Sequence, residues 1–95
     1  MSSTIQDIEQ QQNDALAQQI VNSVKNYLNV VGNKNANLNL YQLIVEKIEA
    51  PLFRTVMEQT RYNQSKAARV LGVSRGTLRT KLKRYFDDEF IGTRG

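Results

Sequence analysis

The chain has 95 residues, 40% of them hydrophobic, with 13 basic against 9 acidic side chains and a net charge of +4. It contains neither cysteine nor histidine. That removes disulfides, thiolate metal sites, cysteine nucleophiles and the usual general base and metal ligand, so no cofactor or metal is expected. No apolar run approaches the ~20 residues of a membrane span. The first residues, MSSTIQDIEQQQN, lack the basic and apolar regions of a secretory signal, and the expected location is the cytoplasm.

Residues 1–13 are rich in Ser, Gln and Asn, with Ile5 and Ile8 the only apolar residues after Met1. They are expected to be a flexible N-terminal segment. A helix is predicted over residues 14–31, because Leu16, Ile20, Val21, Val24, Tyr27, Leu28 and Val31 recur with a 3.6-residue period. Gly32 opens a polar, turn-prone stretch, GNKNAN.

A second helix is predicted from Leu40 to about Tyr62. Asn39 followed by Gln42 has the spacing of a capping box. Pro51 lies inside it and is expected to kink the helix without ending it, since the apolar pattern continues on both sides. Leu40, Leu43, Ile44, Val45, Ile48, Leu52, Phe53, Val56 and Met57 cover more than one narrow stripe. One amphipathic partner helix cannot bury them all, and a symmetric dimer is the simplest solution. Residues 14–62 are therefore expected to be a two-helix dimerisation core.

Residues 63–86, NQSKAARVLGVSRGTLRTKLKRYF, carry seven of the thirteen basic residues and no acid. Asn63 is placed to cap a helix through Leu71, Gly72 supplies the positive φ that stops it, and Ser74 is placed to cap a second helix from Arg75 to about Phe86. Two short helices around a glycine turn form a helix-turn-helix motif. Ala67 and Ala68 allow close packing. Leu71, Val73, Leu78 and Leu82 can form a small core, with Leu78, Leu82 and Tyr85 in one stripe. Arg75 lies in the first turn of the second helix, where a forked side chain can pair with guanine O6 and N7 in the major groove. Residues 87–95 form an acidic tail with net charge −2. Its acids can pair with nearby basic residues, and exposed pairs contribute only ~0–1 kcal/mol.

The alternative reading is a helical adaptor whose basic face binds an acidic protein partner. Gly72 in the turn and Arg75 just after the cap favour DNA. RNA is less favoured, because no aromatic stacking platform interleaves the basic residues. An enzyme is not expected: Glu46, Glu49 and Glu58 lack His, Cys or a phosphate loop beside them and read as solvated helix carboxylates.

The run NQSKAARVLGVSRGTLRTKLKRY resembles the C-terminal helix-turn-helix of the Fis family of bacterial nucleoid proteins, factors for inversion stimulation. It is also similar to the output domain of NtrC-type activators, but those carry it behind an ATPase domain whose Gly-Lys-Ser/Thr loop is absent here. The preceding VKNYLNVV…LNLYQLIVEKIEAPLFRTVMEQTRYNQ resembles the family too, including the proline, and the similarity covers roughly residues 14–85. It implies an all-α fold, a four-helix subunit with a C-terminal helix-turn-helix in an intertwined homodimer. It also implies a DNA-bending regulator of the nucleoid that binds AT-rich degenerate sites on double-stranded DNA in the major groove. RNA polymerase or a recombinase are the implied protein partners.

The resemblance implies DNA-binding roles for Arg75, matching the arginine that reads a guanine near each end of the site, and for Thr77, Arg79 and Lys81 on the recognition helix. Asn63, Ser65 and Lys66 match contacts at the start of the first motif helix. Ser74 stands where enterobacterial members have Asn and Thr80 where they have Lys, and both belong to the same face. Tyr62 replaces a Gly before the motif, and DDEFIGTRG extends past the usual end.

Overall fold

Among the described residues four helices form, in the order α1 (Thr4–Val31), α2 (Leu40–Gln59), α3 (Gln64–Leu71) and α4 (Arg75–Phe86). The computed structural model describes residues 4–32 and 39–90, and no strand occurs among them. The chain is all-α, as expected. Its internal contacts gather into two units, Met1–Leu38 and Asn39–Gly95.

The first unit holds α1, which begins at Thr4, ten residues before the expected start. The segment read as flexible is helical from Thr4 onward. It lacks an apolar stripe, but Gln and Glu are good helix formers, and Asp7 sits in the first turn, favourable to the helix dipole. Gln10 Nε2 donates to Asp14 Oδ1 at 3.0 Å and Gln18 Nε2 to Asn22 Oδ1 at 3.1 Å, both i to i+4. These exposed bonds tie the polar end to the amphipathic part. No residue of α1 is buried. Ile20, Val24, Tyr27 and Val31 are half-buried, while Leu16, Val21 and Leu28 remain exposed. The polar loop expected after Gly32 lies outside the described residues from 33 onward.

In the second unit, α2 starts at Leu40, but the expected capping box does not form. Asn39 is left-handed, with φ 49°, and makes no side-chain cap bond. Gln42 instead donates along its own helix to Glu46 Oε2 at 2.9 Å. Pro51 lies within α2. The helix ends at Gln59, three residues short of expectation. Thr60 turns its hydroxyl back to the Val56 carbonyl at 2.8 Å, and the Tyr62 amide closes onto the Met57 carbonyl at 2.7 Å. Arg61 and Tyr62 both take positive φ, 55° and 66°.

The motif forms as expected. Asn63 accepts from the Lys66 amide at 3.0 Å, and Ser74 Oγ from the Thr77 amide at 3.0 Å. Gly72, with φ 74°, closes α3, and the amides of Gly72 and Val73 both return to the Ala68 carbonyl. A Cβ at Gly72 would meet nothing within 4 Å. Glycine is needed there for its backbone conformation and not for space.

The core of this unit comprises Phe53 and Met57 from α2, Ala67 and Ala68 from α3, and Leu78 and Leu82 from α4. Phe90, beyond α4, completes it. Leu71, Val73, Val56 and Phe86 pack around it. Tyr85 is only half-buried and points to α2, so Phe86 and not Tyr85 extends the core past Leu82. Helices α2, α3 and α4 touch one another in all three pairings, so α4 is held from two sides and its first turn is open to solvent.

Candidate nucleic-acid interface

Helix α4 has two unlike flanks. On the flank facing α2, Lys81 Nζ pairs with Glu49 Oε1 at 3.2 Å and Arg84 Nη2 with Glu46 Oε2 at 2.8 Å. Tyr85 donates its hydroxyl to the same Glu49 oxygen at 2.6 Å. The Tyr85 hydroxyl, and then Lys81, hold the Glu49 carboxyl below the ordinary glutamate range. Gln42, and then Arg84, do the same for Glu46. The Tyr85 phenol is pushed up by the bond it gives to Glu49. These two acids, read from the sequence as solvated, clamp α4 to α2.

The other flank is exposed. Arg75 and Lys83 of α4 lie on the surface, as do Lys66 and Arg69 of α3, and none of them enters an ion pair among the described residues. Arg75 occupies the first turn of α4, directly after its cap. The first turn of α3 presents Asn63, Ser65 and Lys66, with Ser65 half-buried. Both first turns carry backbone N–H groups without helical partners, and the positive end of a helix dipole favours an anion.

The nine site residues expected from the sequence thus differ in how committed they are. Asn63 and Ser74 spend side-chain oxygens on their caps. Ser74 also donates to Thr77 Oγ1 at 3.0 Å, which leaves the Thr77 hydroxyl proton available to an acceptor. Thr80 gives its proton to the Gly76 carbonyl at 2.9 Å and turns back onto its own helix. Arg79 donates from Nη1 to Gln64 Oε1 at 3.1 Å, and Lys81 is engaged by Glu49. Arg75 and Lys66 are exposed cations with no ion pair among the described residues.

Gln64 was not foreseen, because a neutral residue one position after a cap carries no charge or period signal. It is fully buried. The residues just after α4 carry a second unforeseen feature. Arg54 forms a two-pronged pair with Glu89 at 2.8 and 2.9 Å and lies over the Phe86 ring at 4.5 Å and the Phe90 ring at 5.5 Å. Glu89 holds the Arg54 pKa above its ordinary value and is itself held below the glutamate range. Phe90 is 2% exposed, meets Phe86 edge-on at 5.3 Å and stacks on Tyr62 at 5.9 Å. An acid of the tail does pair with a basic residue as expected, but an aromatic of the same tail also enters the core.

No metal-binding group of acids occurs among the described residues, and no described helix is long and apolar enough to cross a membrane.

The description "Bacterial regulatory protein, Fis family" matches residues 44–85, which span the clamp on α2 and the motif as far as Tyr85. The DNA-binding protein Fis of Sodalis glossinidius is 39% identical over 83 residues, covering 87% of this chain and 84% of that protein. This chain belongs to the Fis family. DNA-binding protein Fis of Mannheimia haemolytica is 43% identical over 76 residues, 80% of the Fis-family chain and 76% of that relative. That of Aliivibrio fischeri (strain MJ11) is 48% identical over 63 residues, 66% of the Fis-family chain, and the match spans 63% of that relative's length. No solved structure gives a significant match. Fis is a DNA-binding regulatory family and not a family of enzymes.

Proposed function

We propose that this chain is a DNA-binding and DNA-bending regulator of Fis type, acting as a homodimer on AT-rich degenerate sites. The observation that carries this reading is the exposed first turn of α4, with Arg75 uncommitted, on a helix clamped to α2 along its opposite flank. Arg75 reads a guanine from the major groove. Lys66 and Thr77, with Asn63, Ser65 and Ser74 beside them, contact the phosphate backbone, and Arg79, Thr80 and Lys81 flank the groove. Phosphate contacts set register while the base contact specifies.

Dimerisation is supported by the apolar surface on α2 and α1. Tyr41, Ile48 and Leu52 stay exposed on α2, and α1 buries nothing. A second copy of the chain covers both. Two recognition helices closer than one DNA turn require a bent duplex, and smooth bending costs on the order of 1–6 kcal/mol, depending on sequence. The cell location that follows is the nucleoid in the cytoplasm, with RNA polymerase or a recombinase as protein partners.

The test is duplex binding with the end guanines fixed and the A/T centre exchanged for G/C. Binding weakens by about tenfold or more if the centre must deform, and circular-permutation gels show a position-dependent mobility shift. An unchanged affinity together with a flat shift refutes bending. Sedimentation at micromolar concentration gives twice 10.9 kDa for a dimer, and a monomer mass refutes it.

A further inference from the structure

A buried glutamine joins the segment after α4 to the face that Arg79 serves. Gln64 is fully buried at the first position of α3. Its Nε2 donates to the Phe90 carbonyl at 3.0 Å, and its Oε1 accepts from Arg79 Nη1 at 3.1 Å. The orientation of this amide follows from chemistry. A carbonyl only accepts and a guanidinium only donates, so the reversed amide would lose both bonds and leave buried polar atoms facing like partners. The Phe90 carbonyl therefore sets which way the Gln64 oxygen points, and that oxygen sets where Arg79 rests.

The upstream end of this relay is firmly held. Phe90 is packed against Phe86 and Tyr62, and Glu89 is fixed by both prongs of Arg54. Arg79 itself is exposed, so without Gln64 its long side chain would sample many rotamers.

We propose that Gln64 is a positioning residue, which holds the Arg79 guanidinium ready on the DNA-facing flank of α4. This rests on the DNA-binding reading above. Gln64 touches no DNA. It lowers the ordering cost that Arg79 meets on binding, which for one rotamer-rich side chain corresponds to about three- to tenfold in affinity.

The experiment is a double-mutant cycle on DNA affinity with Gln64→Met and Arg79→Ala, using the full chain and fluorescence anisotropy on a labelled duplex. Helical circular dichroism confirms folding of each variant. Gln64→Met weakens binding by about three- to tenfold when Arg79 is present and by less than about twofold in the Arg79→Ala background. A folded Gln64→Met chain with wild-type affinity overturns the proposal, and so does an equal loss in both backgrounds, which a merely structural role would produce. If Gln64→Met does not fold, NMR of the unaltered chain decides. Cross-relaxation between the Gln64 amide protons and the Arg79 guanidinium protons supports the relay, and a freely averaged guanidinium overturns it. An unaltered chain that binds no duplex refutes the DNA reading itself, an outcome distinct from duplex binding without Gln64–Arg79 coupling.

Discussion

Replacing Glu49 by Gln is expected to tighten DNA binding. In the free chain Lys81 Nζ lies 3.2 Å from Glu49 Oε1, and the two side chains are 29% and 24% exposed. A phosphate must take Lys81 away from that carboxylate. Partly solvated pairs contribute about 0.2–1 kcal/mol, and 1.4 kcal/mol is tenfold in an equilibrium constant, so releasing Lys81 is worth about 1.4- to 5-fold in affinity. Glutamine keeps a carbonyl oxygen for the Tyr85 hydroxyl, so the α2–α4 contact retains that bond. The removed charge also raises the potential of the whole face, which would help any DNA regardless of Lys81. Anisotropy titrations at roughly 0.1 M salt, where the screening length is about 10 Å, separate the two effects. The gain from Glu49→Gln is measured in the wild-type background and again in Lys81→Ala. The gain shrinks in the second background if the ion pair is its source. A gain of equal size there, or no gain in the wild type, refutes the competition.

Arg75→Ala weakens binding to a guanine-bearing site by about 1–3 kcal/mol and random duplex by less; parallel titrations that show equal losses remove Arg75 from the base-reading role. Gly72→Ala destabilises the fold by about 1–2 kcal/mol, because φ 74° is costly for a residue with a Cβ although space is open; denaturant unfolding reads this, and an unchanged midpoint contradicts it. Acidification destabilises the fold as pH falls below about 4.3, the ordinary glutamate value. Glu46, Glu49 and Glu89 all have folded pKa values below that range. Their contribution is therefore complete above the unfolded value and is lost as pH drops through the folded ones. Melting curves for wild type and for Glu49→Gln converge as pH falls if this is correct.

The helix-turn-helix was legible because its signals are local. Asn63, Gly72 and Ser74 act on backbone groups within a few residues, and Leu78 and Leu82 share one helical face. The start of α1 was missed because an apolar stripe was required of it, whereas glutamines bonding to side chains one turn on extend a helix without one. The capping box at Asn39 failed because Asn39 takes the left-handed conformation, φ 49° and ψ 44°, and not the extended one from which a cap side chain reaches the first turn. The site was legible as a set of charges but not in its commitments. Lys81, Arg84 and Arg54 have partners 32, 38 and 35 positions away in sequence, and such pairs emerge only when helices pack. Phe90 was hidden for the same reason, as one aromatic in an otherwise acidic run.

Tyr62 and Phe90 constrain each other's replacement. Tyr62 holds φ 66°, a conformation that costs an ordinary residue roughly 1–2 kcal/mol and glycine almost nothing. Its ring recovers part of this by stacking on Phe90, an aromatic contact of about 0.5–1.5 kcal/mol. With the ring of Phe90 absent, glycine is the better residue at 62; with it present, the disadvantage of tyrosine narrows or vanishes. The order in which two such changes accumulate in a lineage is therefore not neutral. Tyrosine at 62 costs the fold less when the aromatic after α4 is already present, and once both are in place the loss of Phe90 exposes the backbone cost that its ring had offset.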